Sequence, residues 1–133
     1  MKHLILCLLL AAAWLPLRAE ACSCARPGTP VEEKDQHTRV FLGRVQAIEE
    51  DLRGEPRRRV RFIVSETFKG TPVRRLTVDT GIGGGDCGYA FRTGQEYVVY
   101  AWGKDDALAT GICSLTGPAT HPRSGLDVLR GDK

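Results

Sequence analysis

The chain begins with a continuous apolar run, Leu4 to Trp14, behind a basic start at Lys2 and ahead of Pro16. This run is too short and wrongly flanked to span a membrane, and it reads as the core of a secretory signal. Beyond it the pattern changes to short alternating segments. Thr29-Pro30-Val31-Glu32 opens a helix: Thr29 can cap, Pro30 suits the first helical position and Glu32 completes a capping box, with the helix reaching about Gln36. Residues 39–48 are β-branched and apolar and predict a strand, with Gly43 marking a bulge. Residues 57–68 predict a second strand with Val60, Phe62 and Val64 on one face. Residues 73–80 predict a third, with Val73, Leu76 and Val78 as core.

Residues 97–102 are the clearest strand, and after the Gly103–Asp106 turn residues 107–110 give the last. Tyr97, Tyr100 and Trp102 are assigned to barrel or core packing along one face. A weak helical stretch surrounds Leu126 to Leu129. Five short strands with tight turns and one or two small helices predict an all-β, closed or nearly closed small barrel. Arg57, Arg58, Arg59 and Arg61 are expected to form a solvated strand edge that discourages association. Gly81 to Asp86 is a loop that either lets backbone approach something closely or bends to reach Cys87, with Asp86 as a turn residue. It lacks the marks of a phosphate-binding loop.

Ala19-Glu20-Ala21 reads as a signal-peptidase site, which makes residues 1–21 the signal peptide and residues 22–133 one domain. Cleavage there leaves Cys22 first, with a free α-amine, a carbonyl and a thiol on one residue. Cleavage after Ala19, or lipoprotein processing at Cys22, are the alternatives. The lipoprotein pattern lacks its large aliphatic residue, because Ala19 stands three before the cysteine. The expected location is secreted or periplasmic.

The formal charge of +3 falls to +2 once Lys2, Arg18 and Glu20 leave, which gives no support to a nucleic-acid partner. Residues 22–133 contain no asparagine, so N-glycosylation is excluded there. Of the five cysteines, Cys22, Cys24, Cys87 and Cys113 remain after the signal, and an even number in a small exported domain reads as two disulfides. A Cys22–Cys24 bond would close a strained ring, so each reaches to Cys87 or Cys113. A zinc site from the four thiols is disfavoured, since paired Cys-x-x-Cys spacing is missing. Only His37 and His121 remain after the signal. No nucleophile motif or helical metal-ligand pair appears, so no enzymatic activity and no cofactor are expected.

An ordered set of short motifs then carries a resemblance. It comprises Cys22-Ser23-Cys24, Phe41-Leu42-Gly43-Arg44-Val45, Phe68-Lys69-Gly70, Cys87-Gly88-Tyr89, Tyr97-Val98-Val99-Tyr100-Ala101 and Thr110-Gly111-Ile112-Cys113-Ser114. Together they resemble the N-terminal, netrin-like domain of the tissue inhibitors of metalloproteinases, over Cys22 to about Thr116. The resemblance implies an OB-type five-stranded barrel with flanking helices and the pairings Cys22–Cys87 and Cys24–Cys113. It implies a monomeric inhibitor whose partner is a zinc metalloprotease, and whose Cys22 chelates the protease zinc through backbone N and O. Ser23, Cys24 and Ala25, with Gly84, Gly85, Asp86 and Cys87, become the protease contacts.

Four departures stand out. The family's third disulfide is missing, its C-terminal domain has no counterpart, Ala25-Arg26-Pro27-Gly28 only loosely follows its proline-containing segment, and Gly83-Gly84-Gly85-Asp86 replaces bulkier residues before Cys87. Because a shared fold does not fix a function, a non-inhibitory, exported binding module is the alternative.

Overall fold

The computed structural model describes Met1 and residues 22–131. The expected signal peptide therefore lies outside the described residues, apart from Met1. Helix α1 (Pro30–Gln36) starts as its sequence dictates. The Thr29 side chain accepts from the Glu32 backbone N–H, and the Glu32 carboxylate accepts from the Thr29 N–H. At its other end His37 Nδ1 lies 2.6 Å from the Glu33 carbonyl, and the ring meets Tyr100 edge-on.

Five strands close a barrel: β1 (Arg39–Asp51), β2 (Arg57–Lys69), β3 (Arg75–Thr80), β4 (Glu96–Lys104) and β5 (Ala107–Ala109). They run in the order β1-β2-β3-β5-β4, and β4 pairs back onto β1. All pairings are antiparallel except β3 with β5, which meet at Asp79 and Ala109. Strand β1 makes the closure possible because it is long. Val40 to Asp51 run along β2, while Arg39 to Arg44 run along β4. Its register slips at three places, one of them between Leu42 and Gly43, and such bulges supply the coiling a small barrel needs. A short β6 (Gly117–Pro118) adds to the free side of β4. A 3-10 turn (Pro122–Ser124) and helix α2 (Leu126–Gly131) finish the described chain.

Two apolar clusters explain the sequence pattern. The interior holds Phe41, Val45, Phe62, Val78, Tyr97 and Val99 among others, with contributions from all five strands. The second, between the outer face of β1 and β4 and the following loop and helix, holds Val40, Leu42, Val98, Tyr100, Leu115 and Leu129. Residues 39–43 of β1 and 97–101 of β4 are thus buried on both faces, which is why these stretches read as near-continuous apolar runs rather than alternations.

Three expectations change. Tyr97 and Tyr100 do not share a face: their odd spacing sends Tyr97 into the barrel and Tyr100 into the outer cluster. Trp102 is 43% exposed and belongs to neither core. Val73 precedes β3 and is exposed.

The arginine run does not lie on a free edge either. Strand β2 is paired on both sides, and its arginines meet acids on their neighbours: Arg58 with Glu50, Arg61 with Glu49, and Arg59 with Asp79. Arg58–Glu50 and Arg59–Asp79 lie directly across their ladders and Arg61–Glu49 lies diagonally, and such opposite-charge pairs support register.

Candidate functional site

Residues 22–29 form no helix or strand, and from Ser23 to Arg26 they are exposed. Two disulfides hold this ribbon on the barrel. Cys22 pairs with Cys87 at a Cα separation of 5.2 Å, and Cys24 pairs with Cys113 at 5.0 Å. The first ties the ribbon to the loop between β3 and β4, and the second to the loop after β5. Cys22 and Cys87 are half-buried, while Ser23, Ala25, Gly84, Gly85 and Asp86 are exposed. The structure therefore brings both groups of predicted contact residues together as one ridge.

The glycine-rich loop is ordered by Asp86. Its carboxylate accepts from the backbone N–H groups of Gly88 at 3.0 Å, Ile82 at 2.7 Å and Gly83 at 3.0 Å. These hydrogen bonds, Gly88 foremost, hold the Asp86 carboxyl below the usual carboxylate range, against a smaller opposing effect of burial. Cys87 sits in the left-handed region at φ 61°, a conformation that non-glycine residues adopt rarely.

Close backbone approach is the second reason for glycine here. A Cβ on Gly88 would overlap the Gly81 carbonyl, and one on Gly111 would overlap the Cys87 carbonyl. Ile112 then donates its N–H to that same Cys87 carbonyl at 2.9 Å. Both readings of the Gly81–Asp86 loop thus apply: it bends to reach Cys87, and it lets backbone pack against backbone.

A buried hydroxyl network fixes the Cys113 loop from beneath. Thr110 Oγ1 donates to the Tyr100 carbonyl at 2.7 Å, and the Tyr100 N–H donates to Thr116 Oγ1 at 2.9 Å. Ser114 Oγ bonds both the Gly111 carbonyl, at 3.0 Å, and Thr116 Oγ1, at 2.9 Å. Thr80 Oγ1 accepts from the Tyr89 N–H and donates to the Thr110 carbonyl, each at 2.8 Å, joining this network to the far side of the Cys87 loop. Thr and Ser here take the place of strand partners for buried backbone groups. Burial, with the Glu33 carboxylate second, pushes the Tyr100 phenol well above its ordinary value, and its hydroxyl donates to the Ser124 carbonyl.

Arg39, at the start of β1, is a further buried charge. Its guanidinium makes two bonds to Asp105, at 2.7 and 2.9 Å, and also donates to the Thr71 carbonyl. The Arg39 hydrogen bond lowers the Asp105 carboxyl from its ordinary value. Asp105 is thus a turn residue with a second task.

Sequence reasoning did not assign Ile112 or Trp102 to the site. Both are exposed, Ile112 adjoins Cys113, and the Trp102 ring borders Gly111. A cavity of about 210 Å³, lined by Arg57, Asp79, Asp86, Cys87, Trp102 and Thr110 among others, opens beside the ridge. Ile112 could have been found from its place between Gly111 and Cys113. Trp102 carried no local signal, because its exposure depends on where β4 leaves the barrel.

The fold and site define a class: a small, all-β OB-type barrel with an extended N-terminal ribbon stapled across it by two disulfides. The chain matches no protein-family model and no curated sequence. Among the described residues, no helix is long and apolar enough to cross a membrane.

Proposed function

We propose that the chain is an exported inhibitor of zinc metalloproteases, similar to the N-terminal domain of the tissue inhibitors of metalloproteinases, with Cys22 as the zinc-binding residue after cleavage of residues 1–21. The observation that carries this reading is the Cys22–Cys87 bridge, which fuses the ribbon and the Asp86 loop into one exposed ridge.

An α-amine and the carbonyl of the same residue form a five-membered chelate ring. Catalytic zinc sites keep a coordination position open for such a ligand. The amine binds zinc only when neutral, and it titrates near pH 8, so little free energy is lost to deprotonation at neutral pH. Holding Cys22 and Cys24 by disulfides removes conformational freedom before binding, which lowers the entropic cost of association. Ser23, between the two, projects from the ridge as the residue that enters the protease's specificity pocket. Ala25, Gly84, Gly85 and Asp86 flank it, and Ile112 and Trp102 extend the contact surface.

The test compares the chain starting at Cys22 with one carrying an added N-terminal alanine, against a panel of zinc endopeptidases and a quenched fluorescent peptide. The added residue converts the amine to an amide, so inhibition should vanish while the fold persists. Equal inhibition by both forms would rule out chelation.

A second reading, a non-inhibitory binding module, draws support from Gly83 and Gly84. A Cβ built at either meets nothing within 4 Å, so this flank offers little side-chain area to a partner. A Ser23→Trp variant separates the two, since only the inhibitor reading needs a small side chain there.

A further inference from the structure

The two disulfides touch. Cys22 Sγ lies 3.6 Å from Cys113 Sγ, and Cys113 Sγ lies 3.9 Å from Cys87 Sγ. The sulfurs of Cys22, Cys24 and Cys113 all lie within 4.8 Å of one another. Three cysteine-bearing parts of the chain therefore gather at one place, with Cys87 joining the other three sulfurs through Cys22 and Cys113.

We propose that the reduced chain holds a single zinc ion in a tetrahedral site formed by the thiolates of Cys22, Cys24, Cys87 and Cys113. Zinc–sulfur bonds of about 2.3 Å demand sulfur–sulfur edges of about 3.8 Å in a tetrahedron. Two of the four non-bonded separations, 3.6 and 3.9 Å, bracket that edge; Cys22 and Cys24 lie within 4.8 Å, and Cys87 has to close on Cys24 to complete the set. Reduction has to let the two bonded pairs open to the same edge while Cys87 closes on Cys24, movements that side-chain rotation supplies once the bonds are broken. Each disulfide takes two electrons and two protons from a dithiol, which becomes a disulfide, or two electrons from a phosphine, with water supplying the two protons and the oxygen of the phosphine oxide. Zinc then displaces up to four thiol protons as four Zn–S bonds form.

Sequence spacing hides such a site, because Cys87 and Cys113 stand alone and Cys22-Ser23-Cys24 is one residue short of the usual pair. Only the barrel brings them together. The supports are already built. Cys87 is fixed by Ile112 and by the Asp86 loop, and the Cys113 loop is fixed by the hydroxyl network. The inference does not depend on protease inhibition. It does make the two zinc chemistries of Cys22 exclusive: backbone chelation of a partner's ion when oxidised, and sulfur ligation of the chain's own ion when reduced.

The experiment is a cobalt titration of the chain, starting at Cys22, after reduction by excess phosphine under argon. The expected result is one Co²⁺ per chain, with the intense visible bands of tetrahedral thiolate coordination, displaced by one equivalent of Zn²⁺ and absent from the oxidised protein. Cys24→Ser and Cys113→Ser should each weaken binding by more than the roughly tenfold to hundredfold that outer-shell changes cost. Near-UV circular dichroism distinguishes a folded site from ligation by an unfolded chain. If reduction abolishes the near-UV signal, metal should restore it. Absent cobalt bands, a stoichiometry other than one, unaffected serine variants, or metal uptake without a near-UV signal would each overturn the proposal.

Discussion

Replacing both Cys24 and Cys113 by alanine removes the bridge of larger sequence separation and leaves Cys22–Cys87 in place. Both must change together, because a lone thiol at Cys113 would sit 3.6 Å from Cys22 Sγ and invite exchange. The removed bridge spans 89 residues. Because Cys22–Cys87 stays closed, the loop this bridge adds runs from Cys24 through Cys22 and Cys87 to Cys113, about 28 residues. In the chain-entropy model, freeing it in the denatured ensemble destabilises the fold by about 3.6 kcal/mol at 25 °C. A domain of this size has a total stability of roughly 5–15 kcal/mol, so the variant should lie near the edge of folding.

The assay is urea unfolding followed by tryptophan fluorescence and far-UV circular dichroism. With a slope of about 2 kcal/mol/M, the midpoint should fall by about 2 M. The slope itself should rise, since the denatured chain becomes less compact. Inhibition, if present, should weaken as well, because Cys24 fixes the direction of the ribbon. A loss below about 1 kcal/mol, with an unchanged slope, would refute the reasoning, since the bridge would then constrain little of the denatured chain.

Four further outcomes are expected. Leu129→Ala, which empties a fully buried position of the outer cluster, should cost about 2–5 kcal/mol in urea unfolding. Gly111→Ala should displace Cys87 through its carbonyl, so that partner binding falls more than stability does, as measured by inhibition alongside thermal unfolding. Asp51, Asp86 and Asp105 have folded values below their ordinary ones, so they stabilise the fold above the unfolded aspartate value of about 3.9. That contribution is lost as pH falls through the lowered folded values; urea midpoints should drop on this acid limb, and Asp86→Asn should flatten it. If the Cys22 amine ligates zinc, the inhibition constant should improve by up to about tenfold per pH unit on the rise towards pH 8, then level off. An acylated or extended terminus would show no such rise, and the intact mass of the exported protein identifies which terminus is present.

Much of the local architecture is written in local chemistry. Thr29, Pro30 and Glu32 specify the start of α1, because capping satisfies backbone donors within one turn of chain. The β-branched runs specify the strands, and Gly43 marks a bulge, because these preferences act over a few residues. The even cysteine count behind a signal-like run points to two disulfides, and the ordered motifs point to the barrel and the pairing that the structure has.

Tertiary structure alone decided the rest. That Tyr97 and Tyr100, which their odd spacing puts on opposite faces, are both buried depends on β4 being covered on both sides. The partners of Arg58, Arg59 and Arg61 depend on β2 lying between two other strands. Trp102 and Ile112 become surface beside Cys87 only because the barrel ends where it does. The meeting of four sulfurs depends on loops far apart in sequence, since close approach across long separations is set by strand order and register, which no single segment encodes.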